Sequence, residues 1–349
     1  MVPHVDLLNV PAHRRAVIEQ FRAELVPGRR VALSTHINAD GDGCGSETAL
    51  ARMLTAMGMD VVIVNPTPWP ALFNFLLGDD VQDASASGPA ALKKIDLLIV
   101  LDISDVKRLG HLADTVRALT VPVLVIDHHV PSDDPPAPRD RILSDTSACA
   151  TGELIHDVAE TLGLAFTPAI AKSLYTAMLT DTGGFRFSNT SPRCHAIASR
   201  LLSAGVDPEE MYRQVYASVP IGRIHLLRDA LDTLEVDAEH GISWVSLGPG
   251  VLEKYGVASE DLDGIVEHPR SIAGTRLALF FRDLGHGKVK VSFRSTGSVD
   301  VNALARQYGG GGHAKASGAL IAGSLADVRT RVVADARVFV AATKQHSAH

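Results

Sequence analysis

Cysteine is scarce in this 349-residue chain. Cys44, Cys149 and Cys194 are the only three, they lie far apart, and none belongs to a Cys-x-x-Cys pair. That spacing excludes a disulfide framework and a zinc–thiolate site. No apolar run approaches the roughly 20 residues needed to span a bilayer. The N-terminus, Met1-Val-Pro-His-Val-Asp-Leu-Leu8, lacks the basic start and apolar stretch of a signal peptide, so the expected location is the cytoplasm, with no membrane partner. No Lys/Arg run occurs and the net charge is −7, which argues against a broad basic face for long nucleic acids. A small anionic ligand stays open, because a local basic pocket or a metal ion can override net charge. Neither a Gly-x-Ser-x-Gly elbow nor a Gly-x-x-x-x-Gly-Lys-Ser/Thr loop is present, which removes two common routes to hydrolysis and nucleoside triphosphate binding. Internal repeats and low-complexity tracts are also missing.

With 46% hydrophobic and 21% charged residues, the chain has the composition of a globular protein, and its length suits two domains. Four apolar runs read as strands: Val31–Thr35, Asp60–Val64, Ile95–Leu101 and Val121–Ile126. Three of them lead straight into acids or histidines, namely His36-x-x-x-Asp40-x-Asp42, Asp102, and Asp127-His128-His129. Open α/β sheets bind ligands outside the carboxyl ends of their strands, so these residues are expected to converge there. Helical periodicity runs from Gly43 to Gly58, from Thr151 to Gly163 and from Thr167 to Leu179, with Thr167-Pro168 as a cap and Asp181 expected just past the last helix. The segment between Gly78 and Pro89 reads as a loop, and Phe185–Thr190 as a short extended piece. Ser191-Pro192 then starts another helix.

From Asp207 to Leu234 the pattern is helical apart from a break near Val219–Gly222, and it reads as a linker. A second strand-rich unit follows, with strands at Gly241–Leu247, Thr275–Phe281 and Lys288–Phe293 and a hairpin signal at Asp283–Gly287. Helices at Val301–Tyr308 and Leu325–Val338 complete it, and Lys344–His349 is expected to fray. The fold class expected is α/β. An N-terminal, mostly parallel sheet domain with flanking helices spans 1–190, a helical linker 191–235, and a smaller α/β domain 236–349.

Clustered carboxylates repel one another unless a cation neutralises them, and a donor set that mixes carboxylate with imidazole suits Mn²⁺, Fe²⁺ or Zn²⁺. Asp40 and Asp42, alternating across a glycine-containing turn, are placed to address two adjacent ions. Asp102, at the end of a central strand, is a candidate bridge between ions about 3.5–4 Å apart, an arrangement suited to phosphoester hydrolysis.

The set His36-x-x-x-Asp40-x-Asp42, Asp102, Asp127-His128-His129 and Asp181-Thr-Gly-Gly-Phe-Arg-Phe-Ser-Asn-Thr190 resembles the DHH phosphoesterase superfamily over almost the whole chain. That superfamily includes RecJ-type exonucleases, manganese-dependent pyrophosphatases, and oligoribonucleases that also dephosphorylate 3′-phosphoadenosine 5′-phosphate. The resemblance implies one Mn²⁺ on His36, Asp40 and Asp102 and a second on Asp42, Asp102, His128 and Asp181, with Mg²⁺ or Co²⁺ as substitutes. It further implies that His129 sits near the substrate phosphate, where it can give a proton to the leaving oxygen. Asp127 is expected to orient an imidazole.

Gly309-Gly-Gly-Gly-His313-Ala-Lys315-Ala-Ser-Gly318 is the other distinctive stretch. Consecutive glycines let backbone N–H groups form an anion-binding concavity. Arg294, followed by Ser295, ends a strand and offers a guanidinium for bidentate phosphate contact. Together with His313 this resembles the DHHA1 substrate-binding domain. Arg294, Ser295, Gly310, Gly311, Gly312 and His313 are therefore the expected substrate contacts, and the family's arrangement sets them across a cleft from the metals. Arg186 is a further phosphate-contact candidate; Lys315 and Arg276 are either contacts of the same kind or structural cations.

The expected function is hydrolysis of short RNA or DNA oligonucleotides to mononucleotides, together with dephosphorylation of 3′-phosphoadenosine 5′-phosphate. Hydrolysis of cyclic or linear dinucleotides is the nearest alternative. A RecJ-like single-strand exonuclease would need a further domain for which no length remains, and a pyrophosphatase would lack the glycine-rich stretch. A nucleotide-binding regulatory module with a vestigial site is the reading from a different class. A homodimer is a common assembly for soluble enzymes.

Overall fold

The computed structural model describes residues 6–262 and 264–346, and at Glu260, His313 and 344–346 it describes the backbone alone. Two compact units, 1–218 and 219–349, divide the chain. The stretch 191–235 is shared between them. Helices Pro192–Ser203 and Pro208–Tyr216 fall in the first unit, and Ile221–Leu231 falls in the second. Pro220 sits in the break, where a proline lacks the N–H a helix interior needs. Among the described residues no helix is long and apolar enough to cross a membrane.

The first unit is built on six parallel strands, β1 (Arg30–Ser34), β2 (Asp60–Ile63), β3 (Gln82–Asp83), β4 (Leu97–Leu101), β5 (Val123–Asp127) and β6 (Ile142–Ser144). Their spatial order is β3-β2-β1-β4-β5-β6, so the winding direction reverses between β1 and β4. Strands β1, β4 and β5 are buried on both faces, which is why they read as continuous apolar runs. Alternate residues serve the two faces. Leu33, Ile99 and Ile126 pack beneath helices Gly41–Ala56, Thr151–Leu162 and Pro168–Asp181, while Leu98, Val100 and Val125 pack with Leu109, Leu112 and Val116 on the other side.

Local signals fixed the helix ends. The Thr167 hydroxyl accepts from the Ile170 N–H, the Ser191 hydroxyl from the Cys194 N–H, and Gly163 closes its helix in the left-handed conformation. Two expectations fail here. The segment after Gly78 contains the short strand β3 and then a 3-10 helix from Ser85. Phe185–Thr190 is a chain of turns, not an extended piece, because the Arg186 and Phe187 N–H groups both donate back to the Thr182 carbonyl and Phe185 is left-handed at φ 62°.

The second unit carries a mixed sheet of β7 (Glu235–Asp237), β8 (Ile242–Leu247), β9 (Leu277–Asp283), β10 (Lys288–Ser295), β11 (Gly311–His313) and β12 (Ala316–Ala322), in the order β11-β12-β10-β9-β8-β7. Strands β8 and β9 run parallel, and the other neighbours are antiparallel. Phe281, Val291 and Phe293 pack with Leu304 and Val332 on one face, and Val245 and Phe280 pack with Leu226 and Ala230 on the other. Three residues of the glycine-rich stretch, Gly311–His313, form edge strand β11. A Cβ at Gly310 would overlap the Gly318 carbonyl, and one at Gly312 (φ 145°) would lie 2.5 Å from the Ala316 carbonyl, so close backbone pairing requires glycine at both. The last helix, Leu325–His346, runs beyond Val338; residues 347–349 lie outside the described part.

An ion network that sequence reading missed ties helix Ala12–Phe21 to the sheet unit. The Arg14 guanidinium, 2% exposed, donates to Glu153 at 2.7 Å, Asp157 at 2.9 Å and Asp145 at 2.7 Å. Burial works to raise the Asp145 and Asp157 carboxyls, yet both are held below the ordinary carboxylate value, Asp145 by Ser147, Arg14 and His13, and Asp157 by His156, Arg193 and Arg14. Arg14→Met is expected to cost about 3–5 kcal/mol in urea unfolding, since it strands buried carboxylates. Because these carboxyls are depressed, their contribution is present above the ordinary carboxylate pKa and fades as pH falls below it; wild type should show that acid loss and Arg14→Met should show less of it.

Candidate active site

His36 follows β1, Asp102 follows β4, and Asp127 to His129 close β5, so the acids and imidazoles meet at the carboxyl ends of the strands, beside the reversal between β1 and β4. Asp40 caps helix Gly41–Ala56. One of its oxygens accepts from the Asp42 and Gly43 N–H groups, and the other lies 3.7 Å from His36 Nε2. Asp42 is therefore in the first helical turn, not in a loop. Its buried carboxylate accepts from the Thr151 N–H at 2.6 Å and the Gly152 N–H at 2.9 Å, at the start of the next helix, where the helix dipole favours negative charge. Asp181 is the last residue of helix Pro168–Asp181, not the residue after it.

Asp102 occupies the centre. It adopts a left-handed backbone, φ 62°, which a short polar side chain tolerates better than most and which re-aims its carboxylate. One oxygen is 3.4 Å from His36 Nε2. The other is 3.6 Å from His128 Nε2 and from His129 Nδ1, and it accepts from the Thr151 hydroxyl at 3.0 Å. Three groups of potential ligand atoms, each drawn together within 4.8 Å, result: His36, Asp40 and Asp102; Asp42, His128 and Asp181; and Asp102, His128 and His129.

Two observations show that this set fits divalent cations. His36 Nδ1 is 2.9 Å from the Ile37 carbonyl and His128 Nδ1 is 3.4 Å from the Ala148 carbonyl. A carbonyl only accepts, so in each neutral ring the proton is on Nδ1 and the lone pair of Nε2 faces the carboxylates. Both Nε2 atoms are buried without a hydrogen-bond partner. The second observation is electrostatic. Burial, then the charges of Asp102, Asp181 and Asp40, push the Asp42 carboxyl well above its usual value. Burial raises Asp181 to about 6, with His128 opposing and Asp102 adding to the rise. Burial works against a charged His36, but Asp102 and Asp40 outweigh it and raise its pKa to about 10. With the protein's own charges alone, protons are drawn into the cluster, which is where a cation would bring relief.

Asp127 is placed to orient an imidazole, that of His129. Its carboxylate is 2.8 Å from Nδ1 of His129, whose side chain is the most exposed of the site histidines, and that contact raises the His129 pKa. Several residues that sequence reading missed hold the frame. Asn189 donates to the Cys149 and Asp181 carbonyls and, at 3.3 Å, to the Asp181 carboxylate. Asn65 accepts from the Thr35 N–H and donates to buried Glu47, whose pKa burial raises to about 8. Arg108 is near enough to His129 for its charge to oppose protonation there, its carbonyl accepts from the Ile37 N–H, and among the described residues its guanidinium makes no hydrogen bond or ion pair. A lone arginine several residues past a strand end carried no sequence signal.

The expected substrate contacts divide. In the second unit, Arg294 donates to the Phe293 carbonyl and lies 3.7 Å from Glu267, leaving it partly exposed. Ser295 is buried and its hydroxyl donates to the Val299 carbonyl at 2.7 Å, so it serves the fold and is not free for a substrate. Gly310, Gly311 and Gly312 shape the β11 edge, and the His313 side chain lies outside the described part. Lys315 donates to the Gly297 and Val299 carbonyls, and Arg276 donates to the Val340 carbonyl, both structural contacts. In the first unit, exposed Arg186 donates through Nε to the Gly183 carbonyl at 2.6 Å.

Adding a divalent cation to chelator-treated protein is expected to raise the melting temperature, by the equivalent of about 2.7 kcal/mol at a hundred times Kd, and Asp102→Asn should abolish the shift in calorimetry. His36 holds a proton that the cation must displace, and Asp181 takes one up as pH approaches about 6, so binding should release protons and weaken as pH falls from 8 through 6. Titration in buffers of differing ionisation enthalpy measures that release.

The family model described as "DHH family, N-terminal domain" matches residues 30–180, and the "DHHA1 domain" model matches residues 246–341. The bifunctional oligoribonuclease and PAP phosphatase NrnA of Thermus thermophilus is 32% identical over 313 residues, covering 88% of each chain. The Bacillus subtilis protein of the same name is 29% identical over 296 residues, 83% of this chain and 89% of that one. Among solved structures, an exopolyphosphatase-related protein from Bacteroides fragilis is similar with a TM-score of 0.83 at 26% identity, covering 93% of this chain and 98% of that one. With both domain models matched in order, and a relative 32% identical along 88% of its length, this chain belongs to the DHH phosphoesterases, hydrolases here joined to a DHHA1 domain.

Proposed function

We propose that the chain is a Mn²⁺-dependent enzyme that hydrolyses short oligonucleotides to mononucleotides and removes the 3′-phosphate of 3′-phosphoadenosine 5′-phosphate. The observation that carries the reading is the position of Asp102, whose two oxygens face His36 on one side and His128 on the other. The names of the Thermus and Bacillus relatives supply the substrate classes. In this reading His36, Asp40 and Asp102 would hold one ion, and Asp42, Asp102, His128 and Asp181 would hold a second. Mg²⁺ would be a weaker substitute, since it favours oxygen over imidazole nitrogen, whereas Co²⁺ would bind the mixed donor set at least as tightly as Mn²⁺. Such ions supply charge to a phosphoryl oxygen and activate the attacking water.

The protein's own groups do the rest. Asp127 fixes His129 so that its imidazole can give a proton to the leaving oxygen as the P–O bond breaks. Arg108, with its guanidinium unengaged, suits the non-bridging phosphate oxygens. Arg294 and the β11 glycines of the DHHA1 domain are assigned to substrate binding. A preference for short substrates agrees with the −7 net charge, which offers no extended basic track.

The test is product analysis with Mn²⁺ on 3′-phosphoadenosine 5′-phosphate, a linear dinucleotide, a five-nucleotide RNA, a long single strand and a cyclic dinucleotide. Rapid turnover of the first three with little of the long strand is expected; preference for the cyclic substrate or the long strand would replace this reading. His129→Ala should lower kcat by about 10²–10⁴. Arg294→Ala should act mainly on KM, and an unchanged KM would remove its assignment.

A further inference from the structure

Behind the carboxylate that positions His129 lies a cavity of about 150 Å³ that the phosphoesterase reading does not use. Its floor is one face of the sheet edge. Val125 and Asp127 of β5 stand beside Ile142 and Ser144 of β6, each pair on the same side of its strand and in register. The segment after β5 contributes Pro131, Ser132 and Pro135 as its roof, and Ser104 also lines it. The roof is fastened by three contacts: Ser132, itself in the lining, donates to the Asp105 carboxylate, the Asp134 carbonyl accepts from the Val106 N–H, and the Asp134 carboxylate pairs with Arg117. Prolines restrict φ and add to this rigidity, so the cavity is built before any ligand arrives.

The lining selects a chemistry. Asp127 is 1% exposed, and only one of its oxygens is engaged, by His129; the other makes no hydrogen bond among the described residues. The hydroxyls of Ser104 and Ser144 are likewise without a hydrogen bond there, and Arg139, exposed at the rim, has neither a hydrogen bond nor an ion pair. That carboxylate oxygen can accept from an N–H or O–H donor in the cavity, and it repels an anion. The proline and aliphatic walls favour a flat apolar face. At about 150 Å³ the cavity is below the roughly 300–1,000 Å³ of sites for drug-sized ligands, and it matches a single small ring system. Proteins that read an isolated base do so by hydrogen bonds to its polar edge and apolar contact with its faces.

We propose that this cavity is a nucleobase subsite that takes an amino-bearing purine. The amino group donates to the free oxygen of Asp127, the ring lies between Pro131, Pro135 and the Val125–Ile142 floor, and Ser104 and Ser144 meet the ring nitrogens. Arg139 at the rim meets a sugar or phosphate oxygen outside. The choice of a nucleotide ligand rests on the reading of the chain as a nucleotide phosphoesterase. Because Asp127 touches both this base and His129, an occupied subsite is linked to the imidazole at the reacting phosphate. A uracil ring fits poorly, since its single N–H is flanked by carbonyl oxygens that would face the carboxylate.

Nucleosides carry no phosphate, so their binding to the full-length, chelator-treated protein separates this subsite from the metal centre and from any question about hydrolysis. In calorimetric titration, adenosine or guanosine is expected to bind at one saturable site and uridine at least about tenfold more weakly, the loss of one good hydrogen bond. Ile142→Phe, which fills the cavity from the floor, should weaken purine nucleoside binding by about tenfold or more, with Ser144→Leu as a second filling variant if the first does not fold. Photolabelling with 8-azidoadenosine, followed by peptide mapping, should mark the stretch 125–144. No saturable nucleoside binding by wild type, binding unmoved by both filling variants, or labelling confined to other segments would each overturn the proposal.

Discussion

Helices Gly41–Ala56, Thr151–Leu162 and Pro168–Asp181 can meet at backbone distance only because Gly41, Gly45 and Gly152 have no side chain. A Cβ at Gly41 would overlap Thr180, one at Gly45 would overlap the Ser173 carbonyl, and one at Gly152 would lie 2.6 Å from the Ala177 Cβ. That contact carries Asp42, on the first helix, toward Asp181, at the end of the third. It also brings the first N–H groups of the second helix onto Asp42. The sheet supplies the other half of the site by bringing β1, β4 and β5 to a common edge. A side chain at any of these glycines would push the helices apart, and Asp42 away from its partners, before it touched a ligand.

Gathering four aspartates in so small a space carries an electrostatic cost, and the protein meets it in several ways. Backbone N–H groups receive Asp40 and Asp42, the Thr151 hydroxyl receives Asp102, and protons are drawn onto His36 and Asp181. Each of these is partial, and two buried imidazole nitrogens are left facing the carboxylates. The site is thus an arrangement whose free energy falls when positive charge enters, which is the physical content of calling it a metal centre. Asp127 stands apart from this economy: it is spoken for by His129 on one side and opens to the cavity under the proline-rich roof on the other.

Much of this was legible in the sequence, and the reason is local. Strands buried on both faces leave unbroken apolar runs, so β1, β4 and β5 and the residues at their ends could be read directly. Capping residues such as Thr167 and Ser191 fixed helix starts for the same local reason. Where the reading failed, longer-range bonds decided. Phe185–Thr190 has a strand-like composition but folds back because Thr182 accepts two of its N–H groups. The run Gly309–Gly312 looks like a free loop until pairing with β12 makes part of it an edge strand. Ser295 and Lys315 look like ligand contacts because nothing in the sequence says that backbone carbonyls already hold them.

The sequence by itself determined which acids and imidazoles stand at the strand ends, because residue type, strand ends and motif spacing are properties of short segments. Only the tertiary structure decided what each of them does. It turned Asp102 to face His36 on one side and His128 and His129 on the other, directed Asp127 to His129, brought Arg108 to the site, and formed a cavity between β5, β6 and the segment that follows β5. These outcomes depend on contacts between residues tens of positions apart, whose geometry is set by packing and by the direction of individual side chains, and no local pattern records them.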